Sequence, residues 1–316
     1  MKALMYHYVR TGSSDLPWFR YLHIDDFRAQ LDHLQENYSF VNKAEFLESL
    51  VGGPCPQNKC VLTFDDALSD HYEHVLPELI ERGLWGIFYV PTGMYQYRQM
   101  LQVHRIHLLI GTHGGRRVLE FLESNVSPEM LGYRHIEAFH KETYQGQDND
   151  AATDAVKRVL NYFISPEWQK PVLDELMGHF FENESDLIDE YYVTADQLRE
   201  MYRSGMVIGS HSITHPVFSK IDEHAQQQEI SGSIEYLESV LEPGSIKTFC
   251  YPYGGDHTFT DTTEKLLTEA GIRFSFNVEP RDITKVDLAD RPQALPRYDC
   301  NRFPHGRASI GTRRAA

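Results

Sequence analysis

The chain has 316 residues, a formal net charge of −16 and 41% hydrophobic residues. The apolar fraction excludes a disordered chain, and the length fits one large domain or one domain with a sizeable insertion. Because such an acidic surface repels a phosphate backbone, we expect no nucleic-acid partner.

The N-terminal residues contain no apolar run long enough for a signal peptide, and no later run approaches the ~20 residues that cross a bilayer. We therefore expect a cytoplasmic protein without a membrane span; no pattern indicates its oligomeric state. Four cysteines are too few for a disulfide scaffold. We expect reduced thiols, with a disulfide between Cys55 and Cys60 as the alternative.

Short, nearly continuous apolar segments predict strands that are buried on both faces. In chain order they are Ala3–Val9, Ser39–Val41, Cys60–Phe64, Trp85–Val90, Met206–Ile208, Lys247–Tyr251 and Ile272–Phe276. Such strands are typical of a parallel sheet that is covered by helices.

Between these strands, apolar residues recur at helical spacing. The predicted helices are Phe27–Tyr38, Ala44–Val51, a helix from about Asp70 to Gly83, a helix that begins at Thr194, Glu223–Leu241 and Asp261–Ala270. Asp25 and Asp26 are capping candidates for the first helix, Pro77 should kink the third, and Thr194 and Gln197 form a capping box for the fourth. The alternation of strand and helix predicts a mainly parallel α/β sheet or barrel.

The alternation stops after Gly93 and resumes near Thr194. The residues between them carry helical patterns, which predicts a mostly helical insertion. We therefore divide the chain into a first part of the α/β domain at 1–94, the insertion at 95–192, a second part of the α/β domain at 193–305 and a mobile tail at 306–316.

Two adjacent carboxylates, Asp65 and Asp66, directly follow the predicted strand Cys60–Phe64. Neighbouring side chains on an extended chain point to opposite sides, so both can serve one site only where the chain turns at a strand end. The alternative is a helix N-cap beside a surface acid.

Two histidines, His211 and His215, follow the predicted strand Met206–Ile208. Histidines four residues apart lie on one face of a helical turn, so their nitrogens can converge on one cation. Ser212 stands where metalloprotease helices carry a glutamate, so a base must come from elsewhere. The alternative is a pair of surface imidazoles.

A glycine-containing loop, Tyr251-Pro252-Tyr253-Gly254-Gly255, follows the next predicted strand. Proline and glycine favour a tight turn whose amides can face a ligand, and the tyrosines offer hydroxyls or stacking surfaces. By itself this pattern is typical of a turn. His7, near the end of the first strand, is either a further site residue or a core residue.

These four polar clusters share one position, the carboxyl end of a predicted parallel strand, where α/β barrels build their active sites. One carboxylate and two imidazoles can hold zinc with open positions for water, and a second carboxylate is then available as a base. The combination predicts a hydrolase.

The motifs resemble those of the polysaccharide deacetylases of the NodB-homology type, carbohydrate esterase family 4. The resemblance covers about residues 1–93 and 194–300, and its motifs are Thr63-Phe64-Asp65-Asp66, the segment His211–His215 and Tyr251–Gly254. It implies a distorted (β/α)7 barrel, here with a mostly helical insertion, and the metal-dependent removal of an acetyl group from a sugar.

The resemblance also implies roles for individual residues. Asp65 matches the general base that deprotonates the attacking water, and the backbone amide of Tyr253 helps to hold the oxyanion. The implied metal ligands are Asp66, His211 and His215, and the implied substrate-binding residues are Tyr251, Pro252 and Gly254.

Two family positions are not matched in the usual order. The general acid normally lies in a late strand, where only His305 is available; His7 has the better setting, because some members of the family are circularly permuted so that its strand comes first. We therefore expect His7 to be the acid, with His305 as the second candidate.

The family's arginine that orients the base is matched here by Cys250 or Tyr251. This departure leaves the environment of Asp65 open. Arg297 or Arg302 is the possible substitute.

The leading hypothesis is a cytoplasmic zinc-dependent deacetylase that acts on an N-acetylated sugar, oligosaccharide or sugar-linked intermediate in a glycan or surface polysaccharide pathway, such as lipopolysaccharide biosynthesis. Cobalt or nickel would accept the same ligands, and no further cofactor is expected. One alternative is an amidohydrolase acting on a non-sugar C–N bond. Another is a glycan-binding protein without turnover, which the unmatched arginine motivates.

Overall fold

The computed structural model describes residues 1–141, 143 and 149–311; part of the predicted tail, 312–316, lies outside this range. The chain forms two compact units. The first comprises Met1–Thr11, Tyr21–Gln99 and Ile188–Ala308, and the second comprises Gly12–Arg20, Met100–Leu187 and the C-terminal residues from Ser309.

The strands are short and are mostly buried along their whole length. They are β1 Lys2–Tyr6, β2 Val9–Arg10, β3 Arg20–His23, β4 Cys60–Asp65, β5 Gly86–Val90, β6 Val207–Ser210, β7 Thr248–Cys250, β8 Phe274–Phe276, β9 Tyr298–Asp299 and β10 Ser309–Ile310. The predicted strand Ser39–Val41 is wrong, because only a single bridge joins Phe40 to Cys60 there. The last strand, β10, falls within the segment expected to be a tail.

The α-helices are α1 Ile24–Asn37, α2 Lys43–Ser49, α3 Leu76–Glu81, α4 Gly93–Tyr97, α5 Gln102–His113, α6 Gly115–Asn125, α7 Glu137–Lys141, α8 Ala151–Arg158, α9 Pro166–Phe180, α10 Glu184–Tyr191, α11 Ala195–Arg203, α12 Glu223–Val240, α13 Asp261–Glu269 and α14 Lys285–Asp290. Among the described residues, no helix is both long and apolar enough to cross a bilayer. The predicted capping box of α11 is confirmed by reciprocal hydrogen bonds between Thr194 and Gln197.

Seven parallel strands form the sheet of the first unit, in the order β8-β7-β6-β5-β4-β1-β9. Each neighbour from β1 to β8 is the next strand of the sheet along the chain, and helices connect most of them. The predicted distorted (β/α)7 barrel with many helices is therefore confirmed. Register pairs Asp65 of β4 with Tyr89 of β5, and Val90 with Ser210 of β6, so the carboxyl ends of these strands lie at one level.

One short segment reaches both edges of this sheet. Leu295 forms a parallel bridge with Phe276 of β8, and Tyr298, the residue directly after Arg297, pairs with Leu4 of β1. Residues 295–299, which include the edge strand β9, therefore link β1 to the opposite edge strand β8. Arg297 lies within this closing segment.

Alternation along β4 decides which side chains face the inside of the barrel. Val61 packs in a core cluster with Ile87 and Tyr89 of the neighbouring strand, whereas Phe64 stacks on Phe88 at a ring-centroid distance of 4.7 Å on the other face. Because side chains alternate with a period of two, Asp65 shares the inner face with Val61. The sequence of β4 thus places a carboxylate at the top of an apolar interior.

The second unit is built mainly from helices α5 to α9. Arg105 of α5 is only 2% exposed, and it donates to Glu184 at 2.6 and 2.7 Å and to Asp174 at 2.8 Å. Two carboxylates thus compensate one buried guanidinium, as a buried charge requires. All four cysteines of the chain are free thiols in the structure.

Candidate metal centre and active site

The two aspartates separate at the end of β4. Asp65 is the last residue of the strand, and Asp66 and Ala67 then adopt left-handed conformations with φ of 84° and 51°. This turn is what allows two adjacent carboxylates to reach one site. The side chains are almost completely buried, at 2% exposure for Asp65 and 3% for Asp66.

Arg297 holds Asp65 in a fixed orientation. Its Nη1 donates to Asp65 Oδ1 and its Nη2 donates to Asp65 Oδ2, both at 2.8 Å. The guanidinium also donates to Thr63 Oγ1 at 2.9 Å and to the carbonyl of Asn277 at 3.1 Å. Of the two substitutes considered for the family's arginine, Arg297 therefore occupies the position beside Asp65, whereas Arg302 lies exposed in a 3₁₀ turn.

This pair also sets the protonation state of Asp65. Burial alone would raise the pKa of its carboxyl group, but the charge and the hydrogen bonds of Arg297 outweigh burial and lower that pKa. Asp65 is therefore ionised at neutral pH. Such a carboxylate is ready to accept a proton.

His211 and His215 lie in a loop rather than in the helical turn that their spacing suggests. Ser212 and His215 have left-handed φ values of 67° and 59°, which no helix contains. The two imidazole rings nevertheless lie 4.7 Å apart, centroid to centroid. The helical expectation is thus wrong, while the convergence of the two rings is observed.

Asp66, His211 and His215 form a buried cluster whose three ligand atoms all lie within 4.8 Å of one another. The Nε2 atoms of His211 and His215 are 3.6 and 3.7 Å from Asp66 Oδ1. These three predicted ligands are therefore brought together from two loops that follow β4 and β6.

The donor set fits a divalent transition metal. His211 Nδ1 lies 2.6 Å from the carbonyl of Cys250, an acceptor, so Nδ1 carries the proton and Nε2 offers its lone pair toward Asp66. Burial lowers the pKa of His211, and the nearby aspartate charges do not offset this, so the ring is neutral. Two imidazoles and one carboxylate are the ligands of many open zinc sites.

A second group, Asp65, His211 and Cys250, also has ligand atoms within 4.8 Å. It suits a cation less well, because Arg297 already binds both oxygens of Asp65 and donates to Cys250 Sγ at 2.8 Å. Burial raises the pKa of Cys250, which keeps the thiol protonated. The cluster with Asp66 is therefore the better candidate for a metal position.

His7 flanks the cluster on its exposed side. Its Nε2 atom is 3.9 Å from Asp66 Oδ2, and its side chain is 39% exposed. Its carbonyl accepts a hydrogen bond at 2.9 Å from Nε2 of His71, a completely buried residue. His305, the second candidate for the general acid, is exposed in the loop before β10.

The loop after β7 divides its side chains between the core and the site. Tyr253 is half-buried, has a φ of 63°, and its ring centroid lies 5.0 Å from that of His215. Gly254 has a φ of 69° and lies so close to Val278 that a Cβ would collide with it, which explains the need for glycine. The predicted roles of Tyr253, Pro252 and Gly254 stay predictions.

Tyr251 requires a correction. It is 1% exposed, stacks on Phe259 at 3.9 Å and donates its hydroxyl to the carbonyl of Gln293 at 2.6 Å. Its side chain therefore belongs to the core between the sheet and α12 and α13, and does not present itself to a substrate.

Left-handed conformations concentrate around this cluster. Among the described residues, nine non-glycine positions have a positive φ. Five of the nine lie around the site: Asp66, Ala67, Ser212, His215 and Tyr253. Such conformations cost free energy and persist where surrounding contacts enforce them, often at functional sites. The clustering supports a functional reading of this edge of the sheet.

Known proteins resemble this chain in sequence over one segment and in fold over nearly its whole length. Residues 173–275 match the family model of polysaccharide deacetylases. No curated protein matches the chain in sequence.

Three solved structures illustrate the likeness in fold. A Streptococcus pyogenes deacetylase, PplD, in complex with acetate has a TM-score of 0.57 at 17% identity, with 95% of this chain and 91% of that chain covered. IcaB from Ammonifex degensii has a TM-score of 0.55 at 18% identity, with 94% and 90% covered. A de-N-acetylase from Aggregatibacter actinomycetemcomitans has a TM-score of 0.52 at 16% identity, with 94% and 93% covered.

At these identities the structures establish a shared fold, and the family model adds a sequence match that includes His211, His215 and the loop after β7. The resemblance to the polysaccharide deacetylases is thereby confirmed, with a sequence match over residues 173–275 and a shared fold over most of the chain.

Proposed function

We propose that this protein is a metal-dependent hydrolase that removes the acetyl group from an N-acetylated sugar, with acetate and the free amino sugar as products. The observation that carries the proposal is the buried cluster of Asp66, His211 and His215 beside Asp65, which Arg297 binds through two hydrogen bonds. A metal held by one carboxylate and two imidazoles, with a separate ionised base beside it, provides the parts that hydrolysis of an amide needs.

The metal of this proposal is zinc, with cobalt or nickel as ions that the same ligands accept. When bound, such an ion supplies Lewis-acid chemistry, since it polarises a carbonyl oxygen and lowers the pKa of a coordinated water. Asp66, His211 and His215 would hold it. All other steps fall to residues of the chain.

Asp65 takes the proton of the attacking water. Each carboxylate oxygen has two lone pairs, so Asp65 can accept from Arg297 and still accept a proton. Since Arg297 is completely buried and makes bonds to both oxygens, the carboxylate cannot rotate away from the site. The base is thus held in one orientation before substrate binds.

The oxyanion donor and the general acid are assigned to two less buried residues, Tyr253 and His7. Attack on the acetyl carbonyl creates a tetrahedral oxyanion, and the backbone amide of Tyr253 is the proposed donor to it. Collapse of this intermediate breaks the C–N bond, and the leaving nitrogen needs a proton, which we assign to His7. The position of His7 Nε2, 3.9 Å from Asp66 Oδ2, supports this assignment over the exposed His305.

The substrate of this proposal is a sugar, an oligosaccharide or a sugar-linked intermediate in a glycan or surface polysaccharide pathway. Its support is the family match at residues 173–275 together with the fold. The proposed cytoplasmic location rests on the sequence alone, and fractionation of cells that express the full-length protein would test it.

The experiment measures acetate release from N-acetylated amino sugars and their oligosaccharides by the zinc-loaded protein. We expect turnover by the wild type, and none by Asp65→Asn at unchanged metal content. A wild type that retains stoichiometric zinc and releases acetate from heterocyclic or other non-sugar amides alone would instead establish the amidohydrolase alternative. A wild type that binds acetylated oligosaccharides and hydrolyses none of these compounds would establish the binding alternative. That alternative was motivated by the lack of an arginine beside the base, and Arg297 now fills this position.

A further inference from the structure

The histidine loop, His211–His215, has a fixed partner for every one of its backbone amides. The amide of His211 donates to the carbonyl of Val90 at 2.9 Å, and the carbonyls of Ser212 and Ile213 accept from Thr92 and Gly93 at 3.0 and 2.8 Å. The loop is therefore attached to the end of β5 on one side.

Serine hydroxyls bind two further amides of the loop. Ser210 Oγ accepts from the amide of Ser212 at 3.2 Å, and Ser212 Oγ accepts from the amide of His215 at 3.0 Å. Ser210 in turn shares a 2.6 Å hydrogen bond with Ser233 of α12. The two hydrogen bonds to the amides are local, because they join residues in or next to the loop itself.

The remaining two amides depend on one carboxylate from another element. Glu229 Oε2 accepts from the amides of Ile213 and Thr214, both at 2.8 Å, and Oε1 accepts from the hydroxyl of Thr214 at 2.6 Å. All three donors lie between the two histidines. Glu229 is thus the only side chain outside the segment 210–215 that binds an amide of the loop, within the part of the chain that the structure describes.

Helix α12 is shaped to bring this carboxylate to the loop. Gly232 leaves the space that Ile213 fills, since a Cβ there would lie 2.8 Å from Ile213 Cδ1. Ile213 is consequently held between α12 and Gly93, whose missing Cβ would meet the carbonyl of Ile213 at 2.6 Å. Glu229 lies one helical turn before Gly232, which places its carboxylate over the loop.

We infer that Glu229 is a positioning residue for the metal site: its carboxylate fixes the conformation in which His211 and His215 present their nitrogens together. The inference rests on the proposed function, because it assumes that these histidines bind a cation. Nothing in the family motifs singles out this residue, which lies in the middle of a helix, 14 residues beyond His215.

The physical reason is that the loop has an unfavourable backbone. Ser212 and His215 are both left-handed, and such conformations persist only where surrounding contacts enforce them. Hydrogen bonds to an ionised acceptor are about twice as strong as those between neutral groups. Without Glu229, the amides of Ile213 and Thr214 lose their acceptor, and the loop can relax toward conformations in which the two rings separate.

The test compares metal affinity in Glu229→Ala, Glu229→Gln and Glu235→Gln with that of the wild type, by competition of zinc against a chromogenic chelator. Glu235 is the matched control, because it lies exposed on the same helix and its substitution removes the same charge. We expect Glu229→Ala to weaken zinc binding about 10- to 100-fold, the usual effect of losing a residue that orients a ligand. Glu229→Gln keeps one acceptor and should lose less, and Glu235→Gln should bind as the wild type does.

Two further readouts distinguish positioning from a general loss of stability. The visible absorption bands of the cobalt-substituted protein report ligand geometry, and we expect them to change in Glu229→Ala. Thr214→Val removes one of the three bonds to Glu229 and should weaken zinc binding in the wild-type background but not in Glu229→Ala. If Glu229→Ala fails to fold, Glu229→Gln and Thr214→Val provide the same comparison.

The outcomes separate this inference from the proposed function. A wild type that retains neither zinc nor cobalt nor nickel contradicts the metal site and with it the function. A wild type that retains zinc, with variants at Glu229 that bind it equally tightly and show unchanged cobalt bands, overturns the positioning role alone.

Discussion

Arg297 and Asp65 are joined by two parallel hydrogen bonds of 2.8 Å although 232 residues separate them in the chain. Both side chains are buried, at 0% and 2% exposure. The pair forms because residues 295–299, which include β9, link β1 to β8 and carry Arg297 into the barrel interior. The barrel is thus closed by the same segment that orients the proposed base.

Replacing Arg297 with lysine should impair both catalysis and stability. Lysine keeps the positive charge but cannot donate in parallel to both oxygens of Asp65, so the carboxylate becomes free to rotate. We expect kcat to fall about 10- to 100-fold. The free energy of unfolding, measured with urea, should fall by about 1.5–3 kcal/mol, the range for a hydrogen bond to a charged group.

Arg281→Lys is the matched control for this substitution. Arg281 makes the same parallel pair of 2.8 Å bonds, to Asp287, but its side chain is 41% exposed. We expect less than about 1 kcal/mol of destabilisation and unchanged kcat, as for a surface ion pair. Equal kcat values for the two variants would show that the orientation of Asp65 does not limit the reaction.

Substitution of the metal cluster should abolish metal retention. Asp66→Asn, His211→Gln and His215→Gln each remove one of three converging ligands, so we expect zinc affinity to fall more than about 100-fold, beyond the effect of an orienting residue. Metal content after dialysis measures this. Asp70→Asn is the control: Asp70 is also a buried carboxylate, paired with Arg10 at 2.7 Å, and it should lower stability without loss of zinc. Retention of stoichiometric zinc by all three ligand variants would remove the cluster from consideration.

The identity of the general acid can be decided with two leaving groups. His7→Gln should lower kcat on an N-acetylated sugar about 100- to 10,000-fold, because the leaving amine requires a proton. The loss should be much smaller on 4-nitrophenyl acetate, whose phenolate leaves without protonation. His305→Gln serves as the comparison; an effect confined to the sugar substrate in His305→Gln rather than in His7→Gln would move the role to His305.

The sequence patterns predicted the strands of the barrel well where the apolar run was continuous. Cys60–Phe64 and Trp85–Val90 differ from β4 and β5 by one residue at one end. Side-chain alternation and a turn at the strand end also predicted that Asp65 and Asp66 can reach one site. In these cases the signal is local, because burial on both faces dictates the composition of the strand itself.

The features that the sequence patterns missed depend on distant partners. Strand β9 has two residues, and its pairing with β1 follows from the closing segment rather than from any local pattern. The histidine loop was expected to be helical because spacing alone does not reveal the left-handed residues Ser212 and His215. The contact from Glu229 was not foreseen, since a glutamate in the middle of a helix is usually a solvent-exposed residue.

His71 should make the stability of the protein depend on pH in the acidic range. Its ring is completely buried and packs edge-on against the stacked rings of Phe64 and Phe88, each 5.7 Å away by centroid, and burial lowers its pKa from 6.5 to about 4. The unfolded chain therefore binds a proton at His71 between these values while the folded protein does not. This contribution to stability is present above pH 6.5 and is lost as pH falls toward about 4, by up to about 3 kcal/mol.

The measurement is the free energy of urea unfolding at several values between pH 7 and pH 4.5, for the wild type and His71→Gln. Glutamine has no proton to gain in this range but can still donate to the carbonyl of His7, so the stability of the variant should fall less steeply with acid than that of the wild type. His305→Gln, which removes an exposed imidazole, controls for the loss of a histidine as such. If the wild type and His71→Gln lose stability in parallel across this range, His71 is protonated in the folded protein and its burial does not control the acid response.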